Sequence, residues 1–203
     1  MRQISNGVVD VYVHVIEQYL TYPVNGKVQD RFTEGLLLTL IEEGPKALKN
    51  PKDYEVRSNL MWVATLALNG LIGAGVPQDW ATHMIGHELT AVHGLDHAQT
   101  LAVILPNLLT VCKKNKREKL LQYAERVWGM KEGDSDQRID AAIEQTRNLF
   151  EQMQVKTRLS DYGIGKDSIP HLLGQLQAHG MNALGEQNDI TPELSKRILE
   201  QSL

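Results

Sequence analysis

The sequence contains a single cysteine, Cys112, among its 203 residues. One cysteine cannot form a disulfide within the chain and cannot build a thiolate metal site by itself, which argues against the disulfide-stabilised class of small secreted protein. Basic residues are not in excess either, since 21 lysines and arginines stand against 25 aspartates and glutamates, for a formal net charge of -4. This balance argues against a protein that binds nucleic acid or an anionic membrane surface.

Long hydrophobic runs are also missing from the chain. No stretch approaches the roughly 18 consecutive apolar residues that indicate a membrane-spanning helix. The first seven residues (MRQISNG) lack the apolar core of a secretory signal peptide. We therefore expect a cytoplasmic protein that contacts neither membrane nor nucleic acid. Its 42% hydrophobic and 23% charged residues are ordinary proportions for a folded domain.

Apolar residues spaced three or four apart recur along most of the chain, which is the pattern of amphipathic helices. No run of alternating β-branched residues bounded by turns indicates a strand. The sequence therefore predicts one all-α domain of about eight or nine helices. The predicted helical segments are 8–20, 30–48, 54–69, 79–92, 98–111, 116–128, 136–153, 169–179 and 192–199.

Particular residues predict where these helices begin and end. Ser5-Asn6 is a start signal for the first helix, and Gly94 is a C-terminal cap for the fourth. Thr191-Pro192 predicts a capping threonine followed by a proline at the first helical position. Pro106 is expected to kink or end the fifth helix, because proline lacks the backbone N–H that a helix interior needs.

Two loops could be mistaken for ligand sites. Residues 113–117 (KKNKR) form the one basic cluster, and in an acidic chain we interpret it as a solvated loop between helices rather than a nucleic-acid contact. The glycines of residues 70–75 follow a predicted helix rather than a strand, so they do not fit a phosphate-binding loop.

Aspartate and histidine side chains, which can bind metals, recur at helical spacing. Asp10 and His14 lie four apart on the first helix, so their side chains project from the same face. His83 and His87 have the same spacing on the fourth helix. His97 follows the predicted end of that helix, where the chain can turn back and bring a third imidazole to the same point.

One carboxylate oxygen with several imidazole nitrogens is a donor set for Fe²⁺ or Zn²⁺, and an open position would make such a site catalytic. Each pair taken alone also fits a hydrogen bond within its helix or an ordinary surface position, so spacing indicates a metal without establishing one. His93, beside Gly94, is interpreted as a helix C-terminal residue favoured by the helix dipole. His171 and His179 have no acidic or histidine partner at ligand spacing and are interpreted as structural. A His-Asp phosphohydrolase is disfavoured, because the chain has only the reverse order, Asp96-His97.

The motifs together are more specific than their parts. The chain resembles the iron-containing (group III) alcohol dehydrogenases, and within them the butanol dehydrogenase and aldehyde reductase branch, which is usually NADP-linked. Many members of that family place Pro-His-Gly where this chain has Asp96-His97-Ala98, and Asp96 is expected to cap the following helix. The resemblance covers essentially the whole chain and is carried by residues 7–14, 69–70, 76–89, 97, 105–106 and 121–128.

The resemblance implies a fold and a site. In that family an N-terminal α/β domain binds the nicotinamide dinucleotide, and an all-α, dehydroquinate synthase-like domain binds the metal. Residues 1–203 resemble only the second of these domains. The metal ligands implied are Asp10, His14, His83 and His97, and the implied catalytic residue near nicotinamide and substrate is His87.

The same resemblance implies partners and limits. We expect a divalent metal, Fe²⁺ or Zn²⁺, a small alcohol or aldehyde as substrate, and NAD(P) only in the complete enzyme. With the nucleotide-binding domain missing, the chain alone is expected to be inactive and to self-associate as a homo-oligomer. The competing interpretation is a truncated, non-catalytic metal-binding helical domain with a structural or oligomerisation role.

Overall fold

The computed structural model describes all 203 residues as an arrangement of helices with no sheet, which confirms the predicted all-α class and the number of helices. Two short 3-10 helices, Leu159–Tyr162 and Lys166–Ser168, and one isolated β-bridge between Leu184 and Ile190 complete it. The nine α-helices are α1 (Arg2–Tyr19), α2 (Lys27–Lys49), α3 (Tyr54–Leu68), α4 (Ala81–His93), α5 (His97–Val111), α6 (Arg117–Arg126), α7 (Ser135–Gln152), α8 (Ile169–Ala178) and α9 (Pro192–Gln201).

Two of the predicted helix boundaries are confirmed. Gly94 ends α4 in the left-handed conformation, with φ of 68°, and its backbone N–H donates to the Thr90 carbonyl. At the start of α9 the Thr191 hydroxyl accepts from the Leu194 backbone N–H at 3.4 Å, and Pro192 occupies the first helical position. Glycine and capping threonine act locally, so their positions can be predicted without knowing the fold.

One boundary prediction is wrong. Helix α1 begins at Arg2, so Ser5-Asn6 lies inside it rather than before it. Helix α5 spans the predicted segment and continues through Pro106 to Val111, so of the two expected effects of this proline, a kink or an end, the end does not occur. Pro106 is buried in the helix packing, and packing of this kind overrides local propensity.

Helix α5 lies at the centre of the molecule and packs against α1, α4, α7 and α9. Gly86 stands where α4 meets α5, and a Cβ atom there would lie 2.7 Å from the Thr100 hydroxyl oxygen. This absent side chain lets the two helices approach closely. As a result, the start of α5 and the first turns of α4 lie beside α1, which brings the histidines of α4 and α5 near Asp10 and His14.

The basic cluster 113–117 is only partly the solvated loop that the sequence predicts. Lys116 is buried, and its ammonium group donates to the Leu20 carbonyl at 2.7 Å and pairs with Asp79 at 2.8 Å and Glu186 at 2.9 Å. Lys113, by contrast, pairs with Asp140 at the surface. The interpretation as a solvated residue is wrong for Lys116. Its carboxylate partners are distant in sequence, so the basic cluster alone could not indicate them.

Large apolar side chains remain exposed on α2 and α3. Tyr54 is 83% exposed, Trp62 66% and Met61 64%, and Phe32 and Leu68 are also exposed. Contiguous exposed apolar surface commonly marks an interaction site, and the expected self-association stays a prediction. None of the helices combines the length and the hydropathy that crossing a bilayer requires.

Candidate metal centre

Helix α1 presents Asp10 and His14 on one face, one turn apart. The His14 Nδ1–H donates to the Asp10 backbone carbonyl at 2.8 Å. Because a carbonyl only accepts, the proton of His14 must sit on Nδ1, and Nε2 keeps its lone pair. The Asp10 carboxylate lies beside the same ring, with Oδ2 3.7 Å from Nδ1. An aspartate oxygen and an imidazole nitrogen are thus available together.

Helix α4 brings His83 to the same place. The ring centroids of His83 and His14 are 4.3 Å apart. Nδ1 of His83 is hydrogen-bonded to Oε2 of Glu17, whereas Nε2 of His83 is buried and has no hydrogen-bond partner. The ligand atoms of Asp10, His14 and His83 all lie within 4.8 Å of one another.

His97, the first residue of α5, borders this group. Its Nε2 lies 3.3 Å from Oδ1 of Asp10, and its ring centroid is 5.2 Å from that of His83. The ring of His97 stands farther from His14, at 6.5 Å between centroids. The structure therefore clusters the ligand atoms of Asp10, His14 and His83, and it places His97 beside Asp10 but outside that cluster.

The donor set fits a divalent cation. Oδ1 of Asp10 and Nε2 of His83 are both buried without a hydrogen-bond partner. A buried polar atom left unpaired costs about 1–3 kcal/mol, so two such atoms converging on one point indicate a ligand that satisfies both. A carboxylate with imidazoles suits Fe²⁺ and Zn²⁺ alike.

Burial favours the neutral form of two imidazoles of this site, those of His83 and His97. It lowers the pKa of His83 to about 4, although the Asp10 carboxylate opposes the shift. Burial also lowers the pKa of His97, again against Asp10. A neutral imidazole is the form that binds a metal, so the protein environment favours ligation over protonation.

His87 lies one turn beyond His83 and is exposed. Its ring stacks on that of His97 at 5.3 Å and 28° and stands 6.2 Å from the ring of His83. The nitrogen atoms of His87 are not among the clustered ligand atoms. The two histidines of α4, equivalent by spacing alone, therefore differ in burial and position.

Glu17 is the site residue that the sequence reasoning missed. It is 2% exposed, and its Oε1 accepts from the Thr82 backbone N–H at 2.6 Å while Oε2 pairs with His83. Burial, reinforced by the nearby Asp79 carboxylate, raises the pKa of Glu17 to about 8. Its spacing of seven residues from Asp10, on the face that carries His14, was a signal available in the sequence.

Trp80 and Asp96 lie next to the proposed ligands. Trp80 takes the left-handed conformation with φ of 67°, and its ring stands 5.4 Å from that of His83 and 5.9 Å from that of His14. Asp96 caps α5 in a capping box with Gln99, as predicted, and also accepts from the Asn6 side chain at 2.8 Å. Asp96 therefore ties the start of α1 to the helix that begins with His97.

The other histidines lie outside the cluster. Nδ1 of His179 pairs with the buried Glu88 of α4 at 2.7 Å. Nε2 of His93 is hydrogen-bonded to the Ser168 hydroxyl at 2.5 Å. Both contacts fasten α4 to the segment that contains α8, a partnership that sequence spacing could not indicate.

Comparison with known proteins gives one consistent result. The model of the C-terminal domain of the Fe-containing alcohol dehydrogenase family matches residues 4–200. The NADPH-dependent aldehyde reductase YqhD of Escherichia coli is 67% identical over 199 residues, which are 98% of this chain and 51% of that protein. NADH-dependent butanol dehydrogenase A of Clostridium acetobutylicum is 32% identical over 99% of this chain and 52% of its own length.

Solved structures agree with these sequence relatives. The substrate- and cofactor-free form of the E. coli aldehyde reductase YqhD superimposes with a TM-score of 0.99 at 65% identity, covering 100% of this chain and 53% of that one. The chain thus spans about half the length of the relatives that it matches.

Proposed function

The chain belongs to the Fe-containing alcohol dehydrogenase family, whose C-terminal domain it matches, and from this we propose that it is the metal-binding half of an NAD(P)-linked alcohol dehydrogenase or aldehyde reductase. We propose Asp10, His14, His83 and His97 as the ligands of a divalent metal, Fe²⁺ or Zn²⁺. The observation that carries the proposal is the cluster of ligand atoms of Asp10, His14 and His83, which lie within 4.8 Å of one another, with Nε2 of His83 buried and without a hydrogen-bond partner.

A divalent cation bound there would supply Lewis acidity toward the oxygen of the alcohol or aldehyde. One carboxylate and three neutral imidazoles offset only one of its two charges, so the ligand set leaves a net positive site that favours a developing alkoxide. The protein contributes the fixed positions of these donors. Hydride transfer itself belongs to a nicotinamide.

His87 is proposed to move a proton at one of its imidazole nitrogens. Its ring is exposed and stacks on the ring of His97, so it borders both solvent and the proposed ligands. Imidazole is the side chain that ordinarily exchanges protons near neutral pH. This placement suits a relay between the substrate oxygen and bulk water.

Replacement of His87 by alanine in a complete two-domain enzyme should leave the metal bound and lower kcat about 100-fold, the lower end of what general acid–base catalysis contributes. Metal content and steady-state turnover are the measurements. His93→Ala, on the same helix but hydrogen-bonded to Ser168, is the matched control and should change neither. Loss of metal from the His87 variant would instead make this residue a ligand.

The 203-residue chain itself tests the proposal that one domain binds the metal and another binds the nicotinamide. The purified, metal-loaded chain should reduce aldehydes with NADPH no faster than buffer containing the metal, because it lacks the part of its relatives that is proposed to position the nicotinamide. Fusion to the N-terminal half of the E. coli aldehyde reductase should create metal-dependent turnover. Rapid turnover by the chain alone, or an inactive but folded fusion, would contradict the proposal.

A further inference from the structure

We propose that Glu17 is a positioning residue, which holds the His83 ring with Nε2 toward the cation site and accepts the hydrogen bond of its Nδ1–H when a divalent cation is bound. The inference rests on the proposed metal site. It goes further by assigning a role to a buried glutamate that is not itself a ligand.

The first step is the hydrogen-bonding chemistry of the pair. Nδ1 of His83 lies against Oε2 of Glu17, so the ring can reach a cation only through Nε2. A cation on Nε2 requires the ring proton to sit on Nδ1, which then donates to the Glu17 carboxylate. Nε2 is also the atom that is buried without a partner, on a residue clustered with Asp10 and His14. Carboxylates that orient histidine ligands in this way strengthen metal binding.

The second step is the rigidity of the support. The Glu17 carboxylate also accepts from the Thr82 backbone N–H at 2.6 Å, and the Glu17 backbone carbonyl accepts from the Asp79 N–H at 2.8 Å. Oδ1 of Asp79 in turn accepts from the Ala81 N–H at 2.9 Å. Between these contacts Trp80 is held at φ of 67°, a conformation that persists only when its surroundings impose it. The first turn of α4, and with it the His83 ring, is fixed to α1.

The third step is charge. The carboxylates of Glu17, Asp79 and Glu186 are all buried, and Lys116 is the one cation that pairs with two of them. A divalent cation next to His83 would favour the ionised form of Glu17, whose negative charge then adds to the effect of orienting the ring.

The test compares Glu17→Gln with the unchanged 203-residue chain, using Co²⁺ as the probe. In glutamine one of the two acceptors becomes a donor, so either the Thr82 N–H or the Nδ1–H of His83 faces a donor, whichever way the amide is turned. We expect about 10- to 100-fold weaker Co²⁺ binding and altered visible absorption of the bound ion, with the far-UV circular dichroism unchanged.

Glu34→Gln is the matched control. Glu34 is likewise a buried glutamate, and it accepts from the Tyr19 hydroxyl and from Arg126 without touching a histidine. This variant should bind Co²⁺ as the unchanged chain does. Equal Co²⁺ affinity and equal spectra for the Glu17 variant and the unchanged chain would overturn the positioning role.

A second measurement uses the unchanged chain, so it can be made even if the Glu17→Gln variant fails to fold. In the Zn²⁺-loaded chain the Nδ1–H proton of His83 should resonate far downfield and exchange slowly with solvent, as a hydrogen bond to a buried carboxylate requires. An ordinary chemical shift or fast exchange for this proton would overturn the role of Glu17. Failure of the unchanged chain to bind Co²⁺ or Zn²⁺ would instead contradict the proposed metal site, and the role of Glu17 with it.

Discussion

A His83→Ala variant of the 203-residue chain is expected to bind Fe²⁺, Zn²⁺ or Co²⁺ more than about 100-fold more weakly than the unchanged chain. Loss of a residue that only hydrogen-bonds to a metal ligand typically lowers metal affinity 10- to 100-fold. The His83→Ala change removes a proposed ligand atom itself, so its effect should be larger. It also leaves the Glu17 carboxylate buried without the imidazole that it pairs with. Competition titration with a chromophoric chelator measures the affinity directly.

His171→Ala is the control for nonspecific binding by histidine. His171 is exposed on α8, away from the clustered donors, so its removal should leave the affinity unchanged. Equal affinities for the His83 variant, the His171 variant and the unchanged chain would exclude His83 from the site. A parallel loss in both variants would show that surface histidines, and not the proposed site, capture the metal.

A Lys116→Met variant is expected to lose about 3–5 kcal/mol of unfolding free energy, the cost of removing one partner from a buried ion pair. Methionine keeps the apolar stem but leaves Asp79 and Glu186 buried without their cation. It also removes the donor to the Leu20 carbonyl. Urea unfolding followed by circular dichroism measures the difference.

Lys113→Met is the matched control within the same basic cluster. Its partner Asp140 is exposed, and surface ion pairs contribute about 0–1 kcal/mol. A Lys116 variant as stable as the Lys113 variant would contradict the structural role assigned to the buried lysine.

The pH dependence of the Lys116 contribution also has a definite sign. Burial lowers the pKa of Lys116, but Asp79 and Glu186 raise it by more, so the net pKa lies above its ordinary value. A raised lysine pKa stabilises the folded chain fully below the unfolded pKa of about 10.4, and the stabilisation is lost as pH rises through the folded pKa. The part of the difference between the unchanged chain and the Lys116 variant that depends on the lysine charge should therefore shrink only in strongly alkaline solution.

Local signals in the sequence predicted most of the helices. Apolar periodicity located them because each helix buries one face, and Gly94 and Thr191 marked ends that depend on backbone geometry alone. Ser5-Asn6 misled because these residue types also occur inside helices, and Pro106 does not end α5 because it is buried in the helix packing. Whether a proline ends a central helix depends on packing against residues that are distant in sequence.

The candidate site, too, could be predicted only in part from the sequence. Spacing within one helix predicted that Asp10 and His14 share a face, and the structure places them so. Spacing could not decide which of His83 and His87 turns inward, because that depends on how α4 lies against α1. Nor could it pair Glu17 with His83 or Lys116 with Asp79, since these contacts join residues from different helices and loops.

Anomalous diffraction from crystals of the 203-residue chain, loaded with iron or zinc and recorded on both sides of the absorption edge of that metal, tests the central claim most directly. The account predicts one strong anomalous peak per chain, located between the carboxylate of Asp10 and the imidazoles of His14, His83 and His97. A fully loaded crystal with no peak at these residues, or with its peak on other side chains, would contradict the proposed metal centre.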